Sequence, residues 1–333
     1  MSSALLLAAF ASAALAREPA ADPVADLSAV GLYEPMGREV ARLTPETTLS
    51  DLAADFDPAF YKPPGWRHFL ELNGATYRKA DRADGGGRAA LDRFGAAYRA
   101  QRSSGDGHIW ELGLGYDSLS YDIDFNLASL PLEVSDADFW RASTSYHYKT
   151  PGRFSWYAGA RADAGAARDV AAWETIHLGA SLGLEWRVLD GLDFMVVYDG
   201  YDRPEESFRG VLLPLIDWQI SDDLRLGPVA GGYGLDLEWD YQTHYFLSGS
   251  YDERAIRLDD DVAPDDWVLR DSERSVQAGM IWSPKEAIEL VLEAGLVERD
   301  LVIASDGQQL DRVGLDPEAF LGVRLIFGRG SIF

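Results

Sequence analysis

Apolar and polar residues alternate without interruption from Ile176 to Val188. Every even-numbered residue in this run is apolar, and every odd-numbered residue is polar or glycine. A period of two places the two sets on opposite faces of a β-strand. The run covers 13 residues, whereas strands of soluble proteins are usually about 5–6 residues long and a tilted strand crosses a bilayer with about 9–11. The pattern therefore predicts a strand long enough to span a membrane.

Similar alternation recurs from residue 67 onwards, in segments separated by short turns and longer loops in alternation. One of the turns is the dipeptide Asp190-Gly191, a strong hairpin signal. The predicted strands are 67–78, 88–101, 108–125, 138–149, 153–163, 173–188, 192–201, 208–219, 224–230, 235–241, 244–258, 273–282, 287–302 and 318–328. These are fourteen strands. The number of strands becomes twelve if segment 224–230 and the first pair of predicted strands are miscounted.

One of the predicted strands changes its alternation part-way along. Between residues 108 and 125 the apolar residues run from Trp110 to Tyr116 on one parity, and from Leu119 to Phe125 on the other. Because a shift by one residue moves a side chain to the other face of a sheet, this change predicts a β-bulge or a turn at Asp117-Ser118.

The chain begins with a different kind of sequence. Residues 1–16 contain a short apolar stretch and end in Ala14-Leu15-Ala16, which is typical of a cleaved secretory signal. A buried core helix is the alternative for this stretch. Residues 17–65 are rich in alanine, proline and acidic residues and show no sustained alternation, so we expect an irregular periplasmic segment there. A plug inside the lumen is the alternative for 17–65, and residues 66–333 form the predicted barrel.

The chain ends with Phe333, and Phe327, Leu325 and Val323 share its parity. A terminal phenylalanine that closes an alternating strand resembles the C-terminal signal of bacterial outer-membrane β-barrels. The region from about residue 67 to the end resembles these porin-like proteins in strand length and glycine content, and is close to a bacterial family known as a domain of unknown function. The sequence departs from the pattern at Arg329 and Ser331, which are polar.

The resemblance implies an all-β fold, an antiparallel up-and-down transmembrane β-barrel of about 12–14 strands in the outer membrane. It also implies three kinds of partner. Outer-membrane lipids and lipopolysaccharide would surround the barrel, and the barrel-assembly machinery would act on the strand that ends at Phe333. No catalytic motif accompanies the resemblance.

Composition excludes several function classes. The formal net charge is −25, from 55 acidic and 30 basic residues, so nucleic acid is not an expected partner. The chain has no cysteine, which excludes disulfides, thiolate metal sites and a lipoprotein anchor. The 32 glycines and the 10 tryptophans and 15 tyrosines suit a barrel with interfacial aromatic girdles.

No motif in the sequence indicates catalysis, so we expect neither an enzyme nor a cofactor or metal site. The five histidines form no HExxH pair, and no GxSxG elbow is present. The alternative is an outer-membrane lipid-modifying hydrolase with a Ser–His pair on the lipid-facing surface, for which Ser145 with His147 or Ser181 with His177 are candidates. The acidic run from Asp259 to Asp266 lacks the ordered spacing of a calcium loop, and we expect a solvated loop there.

The charged residues that alternate with apolar positions are the candidate functional residues. If the apolar faces contact lipid, eight charged or titratable side chains point into the lumen: His177, Glu185, Arg187, Asp236, Glu238, Glu289, Glu293 and Arg324. Carboxylates and arginines can pair there and close a narrow lumen, because a confined charge needs water or an opposite partner.

The function predicted from the sequence is a passive pore or a structural role in the outer membrane. An excess of lumenal carboxylates predicts a modest preference for cations. A soluble periplasmic β-protein that binds a small ligand remains the third alternative, because alternation alone does not tell the inside of a barrel from its outside.

Overall fold

A computed structural model describes residues 65–330, apart from 105–106, 128–129, 132–135, 150–153, 169, 171–175, 204–205, 260–266, 286 and 306–307. The predicted signal peptide, the segment up to residue 64, most of the acidic run and Phe333 lie outside the described residues. No helix in the described part of the chain is long and apolar enough to cross a membrane.

The described residues form seventeen β-strands. They are β1 (Gly65–Tyr77), β2 (Ala80–Asp81), β3 (Arg88–Ser103), β4 (His108–Ile123), β5 (Asn126–Leu127), β6 (Leu130–Pro131), β7 (Asp136–Lys149), β8 (Phe154–Ala167), β9 (Ile176–Leu189), β10 (Leu192–Arg203), β11 (Glu206–Gln219), β12 (Leu224–Val229), β13 (Gly232–Asp240), β14 (Thr243–Arg257), β15 (Val268–Lys285), β16 (Ile288–Ser305) and β17 (Gln308–Gly330). Strands β2, β5 and β6 have two residues each and belong to connections between longer strands.

The fourteen longer strands form a closed ring. Each pairs antiparallel with its neighbours in the chain, and β1 pairs both with β3 and with the last strand, β17. Every strand of the ring therefore has a neighbour on each side, and the shortest of these pairings is that of β11 with β12, at two residue pairs. The prediction of an all-β, antiparallel up-and-down barrel is confirmed, and the strand number lies at the upper end of the predicted range.

The two ends of the barrel differ in their connections. One end, here called the turn end, carries the connections 104–107, 150–153, 190–191, 220–223, 241–242 and 286–287. The other, the loop end, carries the longest ones, 78–87, 124–135, 168–175 and 258–267. The predicted hairpin at Asp190-Gly191 is present at the turn end, with Gly191 at a positive φ of 74° that suits glycine.

Several strands reach further into the loop end than predicted. β16 continues to Ser305 and β17 begins at Gln308, so the predicted loop 303–317 is wrong. In the same way β15 begins at Val268 rather than at residue 273. The physical reason is that these extensions supply buried apolar side chains, including Ile303 and Leu315, to a core at the loop end.

The predicted bulge at Asp117-Ser118 is also wrong. β4 pairs with both of its neighbours in continuous register past these residues. Leu114 on one parity is 62% exposed on the outside of the barrel, whereas Leu119 on the other parity is completely buried inside. The apolar side chains therefore change from the outer to the inner face along a regular strand.

An apolar band surrounds the outside of the barrel. On β9 the even-numbered side chains that alternate from Ile176 to Val188 are exposed, and the intervening ones face the lumen. Seven exposed tryptophans among the described residues lie close to the turn end: Trp66, Trp110, Trp156, Trp186, Trp218, Trp239 and Trp282. Towards the loop end Trp140 packs on Tyr116, with ring centroids 4.5 Å apart. An apolar band bordered by aromatic residues is the outer surface of a transmembrane β-barrel.

Candidate functional site

The lumen contains pairs of oppositely charged side chains on neighbouring strands. Among the residues singled out from the sequence, Arg324 of β17 lies 3.2 Å from Glu293 of β16, measured from Nη2 to Oε2. Arg187 lies 3.3 Å from Asp193 across the β9–β10 hairpin. These pairs reduce the cost of holding a charge in a confined space.

Four other residues of the predicted set occupy inner positions near the turn end. Asp236 of β13 lies 3.3 Å from the His244 ring nitrogen Nδ1, and Glu238 follows on the same inner face. Glu185 borders a small cavity of about 10 Å³ beside Lys149. Glu289 lies opposite the buried Ile326.

His177 occupies an inner position nearer the loop end of β9. It lies opposite Asp163 of β8, and its Nε2 atom is buried without a hydrogen-bond partner. The structure therefore does not gather the eight residues into one site. It brings together Glu293 and Arg324 and distributes the others around the wall.

A layer of charged side chains crosses the lumen closer to the loop end. This charged layer consists of Arg93, Asp117, Arg141, Asp252, Arg254, Asp271, Glu273, Arg299 and Glu318. Arg93 and Arg141, on β3 and β7, both lie 3.7 Å from Asp252 of β14. Since β3 and β14 are not neighbours in the ring, these contacts pass through the interior and close it at this level.

Two arginines form the centre of the charged layer. Arg254 is in contact with Asp252 and lies 3.5 Å from Glu273. Arg299 lies 3.3 Å from both Glu273 and Glu318. Both guanidinium groups are almost completely buried. A buried arginine of this kind requires several carboxylate partners, because its desolvation is otherwise uncompensated.

Sequence reasoning missed the charged layer for an identifiable reason. The sequence predicts a strand that begins only at residue 273, which leaves Asp271 outside it. It also puts Glu318 at the first position of the last predicted strand. The available signal was the spacing of Asp271 and Glu273, two residues apart and so on one face of a strand. The partner strands that complete the layer are distant in the chain.

A tightly packed apolar cluster fills the interior between the charged layer and the loop end. Its fully buried members include Leu91, Leu119, Ile256, Leu269 and Ile303. At this height β8 and β14 also meet directly, in a parallel pairing between Ala166 and Arg257. A side chain at Gly165 would lie 2.2 Å from the carbonyl oxygen of Ala255, so this approach needs glycine. The barrel is thus packed solid towards the loop end.

On the opposite side of the charged layer, the tip of the β12–β13 hairpin enters the lumen. Arg324 Nη2 donates a hydrogen bond of 2.6 Å to the carbonyl oxygen of Ala230, and Gln277 Nε2 lies 3.4 Å from the same oxygen. Val229 and Ala230 pack in an apolar cluster with side chains of the surrounding wall: Phe246, Ile281, Val291 and Ile326. We call this element the inner hairpin.

A polar cavity of about 300 Å³ lies between the charged layer and the inner hairpin. Its lining includes Ser143, Ser275, Gln277 and the Glu293–Arg324 pair. Charged groups of both signs border it, five carboxylates (Glu71, Asp117, Asp252, Glu273, Glu293) and four arginines (Arg93, Arg99, Arg141, Arg324). Apolar side chains, among them Phe139 and Phe320, supply the rest of the lining. A cavity of this volume, with apolar surface and a few charged and polar groups, fits a small solute and several waters.

The pair Ser145 and His147, a candidate for hydrolysis, lies inside the barrel. The Ser145 Oγ and His147 Nε2 atoms are 3.0 Å apart, and both residues are buried on the inner face of β7. The His147 ring also stacks on Tyr157, with centroids 5.3 Å apart. His177 and Ser181 occupy inner positions of β9 as well. Neither pair is therefore on the lipid-facing surface.

Metal binding finds no support in the described residues, which contain no group of three or more His, Asp or Glu side chains arranged to hold an ion. Most of the acidic run Asp259–Asp266 lies outside them. Its predicted role as a solvated loop stays a prediction.

Comparison with known proteins finds similarity only among solved structures. No family model matches the chain, and no curated protein matches it. It is similar to the toluene transporter TodX of Pseudomonas putida, with 9% identity over 82% of this chain and 91% of that one and a TM-score of 0.43. An outer membrane channel from Pseudomonas putida F1 gives 10% identity, 82% and 100% coverage and a TM-score of 0.43.

A third solved structure is a Pseudomonas aeruginosa FadL homologue. Here the identity is 14%, the similarity covers 83% of this chain and 93% of that one, and the TM-score is 0.41. No substrate or mechanism transfers to this chain from similarities of this size. The narrower resemblance to a family known as a domain of unknown function stays a prediction.

Proposed function

We propose that this protein is a bacterial outer-membrane β-barrel that transports small polar solutes and is closed in the conformation described here. The observation that carries the proposal is the division of the wall into an apolar outer face and a polar inner face. Leu184 and Trp186 are exposed on the outside of β9, whereas Glu185 between them faces the lumen. In water this arrangement would expose a broad apolar surface, which weighs against the soluble periplasmic alternative.

The polar cavity supports a transport role. Its lining carries both signs of charge, and a solute inside would exchange its hydration for contacts with these groups. The charged layer, with the apolar cluster beyond it, borders the cavity on one side and the inner hairpin borders it on the other. Passage through the barrel requires all three to rearrange. A permanently open passive pore therefore fits the geometry less well than a barrel that opens on demand.

A structural role is the second candidate, and one specific observation favours it. The charged layer joins strands across the lumen, including Tyr77 of β1 to Glu273 of β15 at 3.3 Å, and the apolar cluster beyond it is packed as a protein core. A barrel closed by these contacts would have a structural role in the membrane and would conduct no ions.

Membrane location is tested by expressing the full chain with its predicted leader and fractionating the cells. We expect the protein in the outer-membrane fraction, extractable only with detergent, and migrating faster on a gel when unheated. Recovery in the periplasmic fraction without detergent would contradict the proposal. An outer-membrane location implies two groups of partners. Lipids and lipopolysaccharide surround the barrel, and the barrel-assembly machinery acts on the strand that ends at Phe333.

Conductance in planar bilayers separates the two candidates. A transport barrel gives discrete openings above a closed baseline, and a structural barrel gives none at any applied voltage. Purified protein heated before reconstitution is the control, because unfolded chains produce only irregular leakage.

A further inference from the structure

The strands of the inner hairpin are the shortest in the ring. β12 has 6 residues and β13 has 9, whereas the other ring strands have at least 12. The hairpin turns through Ala230 and Gly231, both with positive φ, 51° and 78°. These angles are those of a tight two-residue hairpin turn. The contacts of Ala230 with Arg324 and with the apolar side chains of the wall place this tip inside the barrel rather than at its rim.

Behind the inner hairpin the barrel wall is interrupted. Among the described residues β11 pairs with β12 only at Trp218–Leu226 and Gln219–Arg225, although it pairs with β10 from Arg209 to Trp218 and again at Glu206. Tyr233 partly replaces the missing ladder, because its hydroxyl donates to the Ile216 carbonyl oxygen and accepts the Ile216 N–H at 3.2 Å. Within the described part of the chain, no strand pairs with the remainder of this edge of β11.

The interruption lies at the height of the apolar band. Leu212 of β11 is 63% exposed on the outside, and it belongs to the part of β11 that does not pair with β12. Unpaired backbone groups facing hydrocarbon are unfavourable. Pro214, which lacks an N–H donor, reduces this cost by one group. The position of the hairpin is therefore a balance between contacts in the lumen and pairing in the wall.

We propose that the inner hairpin is a gate for the polar cavity, with one position in which its tip lies inside the lumen and a second in which its β12 edge joins the barrel wall, while β13 stays paired with β14 as it is here. In the second position β12 continues its pairing with β11, so that Gly227, Pro228 and Val229 come opposite Asp217, Ile216 and Leu215. The Arg324 bond to Ala230 stabilises the first position. This inference rests on the proposed function, since it assigns the element that opens the transport cavity.

Engineered cysteines test the second position directly. Leu215 and Val229 pack in separate apolar clusters in the conformation described, and they become neighbours only when the hairpin enters the wall. The chain has no cysteine of its own, so a disulfide in the double variant Leu215→Cys/Val229→Cys is unambiguous. Arg324→Ala, added to this pair, should raise the disulfide yield several-fold. Arg187→Ala is the matched control, because it removes an inner-face guanidinium paired with Asp193, and it should leave the yield unchanged.

Access to the cavity is the second measurement. Ser275, which lines it, is replaced by cysteine and treated with a membrane-impermeant methanethiosulfonate reagent. We expect labelling several-fold faster with Arg324→Ala than in the parent. Equal disulfide yields in the double-cysteine variant with and without Arg324→Ala would overturn the proposal that the hairpin has a second position in the wall. A higher yield without faster labelling would show a mobile hairpin that does not control the cavity, which also overturns the gate.

The same samples are tested for detergent-dependent extraction and heat-modifiable mobility. If the variants are membrane-integrated barrels and neither measurement responds to Arg324→Ala, the gate is wrong while the proposed function stands. If the protein is recovered as a soluble protein, both fail together.

Discussion

Tyr121 of β4 donates a hydrogen bond of 2.8 Å from its hydroxyl to Oδ2 of Asp271 on β15. The two strands are not neighbours in the ring, and Asp271 is completely buried. The bond therefore joins two sides of the barrel through its interior. It also supplies a donor to a carboxylate that water does not reach.

Loss of this donor should destabilise the barrel. We expect Tyr121→Phe to lower the free energy of unfolding by about 1–3 kcal/mol, because a buried acceptor is left with one partner fewer. Urea titration of protein refolded in liposomes measures the change. Tyr241→Phe, at a residue 76% exposed at the turn end, should change it little, and equal effects of the two variants would contradict this role.

A larger effect is expected at the centre of the charged layer. Arg254→Ala leaves Asp252, Asp271 and Glu273 without the guanidinium that they surround, and breaking a buried ion pair in this way costs about 3–5 kcal/mol. The matched control is Arg88→Ala, which breaks the exposed pair with Asp81 and should cost about 0–1 kcal/mol. Unfolding in liposomes again provides the measurement. A small loss for Arg254→Ala would mean that water fills this part of the lumen.

The height at which the membrane ends can be tested on a single strand. Leu114 and Ser120 both lie exposed on the outer face of β4, on opposite sides of the point where the apolar parity changes. Leu114→Arg should reduce the stability by about 2–4 kcal/mol if the residue lies near the midplane, and by less closer to the interface. Ser120→Arg should be nearly neutral, because that part of the strand faces water. Similar losses at both positions would mean that the hydrocarbon extends past Asp117.

Any open state should prefer cations modestly. The cavity lining has one carboxylate more than it has arginines, and like charge in a confined passage raises the local concentration of counter-ions. The reversal potential across a salt gradient measures this preference. Glu71→Gln, which makes the two numbers equal, should remove most of it. An anion preference of the unmodified protein would be inconsistent with the cavity as the conducting path.

Strand positions and the barrel itself were predictable because the wall imposes a period of two on the chain. Ile176–Val188 and the Asp190-Gly191 turn correspond to β9 and its hairpin with β10. The inner parity of Glu293 and Arg324 followed from the same alternation, although their direct contact did not. Alternation defines two faces, but a strand carries no mark of which face meets lipid.

β4 illustrates why the remainder required the tertiary structure. From the sequence, the change of parity between Tyr116 and Leu119 had the form of a bulge. In the barrel the change of parity marks a boundary along the strand. On the turn-end side of it, lipid lies outside the barrel and the polar lumen inside. On the loop-end side, water lies outside and a packed apolar core inside. The apolar side chains change from the outer to the inner face at this boundary, because the apolar environment changes from the outside of the barrel to its inside. The backbone stays regular.

By itself, the sequence determined the elements whose cause is local, namely the strands, the tight turns and the two faces of each strand. Only the tertiary structure decided what lies inside. The charged layer unites Arg93, Asp252 and Arg299 from strands distant in the chain, and the inner hairpin depends on the contact of Arg324 with Ala230, 94 residues away. Such contacts arise when the ring closes and its diameter brings opposite walls within reach of long side chains, and no local pattern encodes that distance.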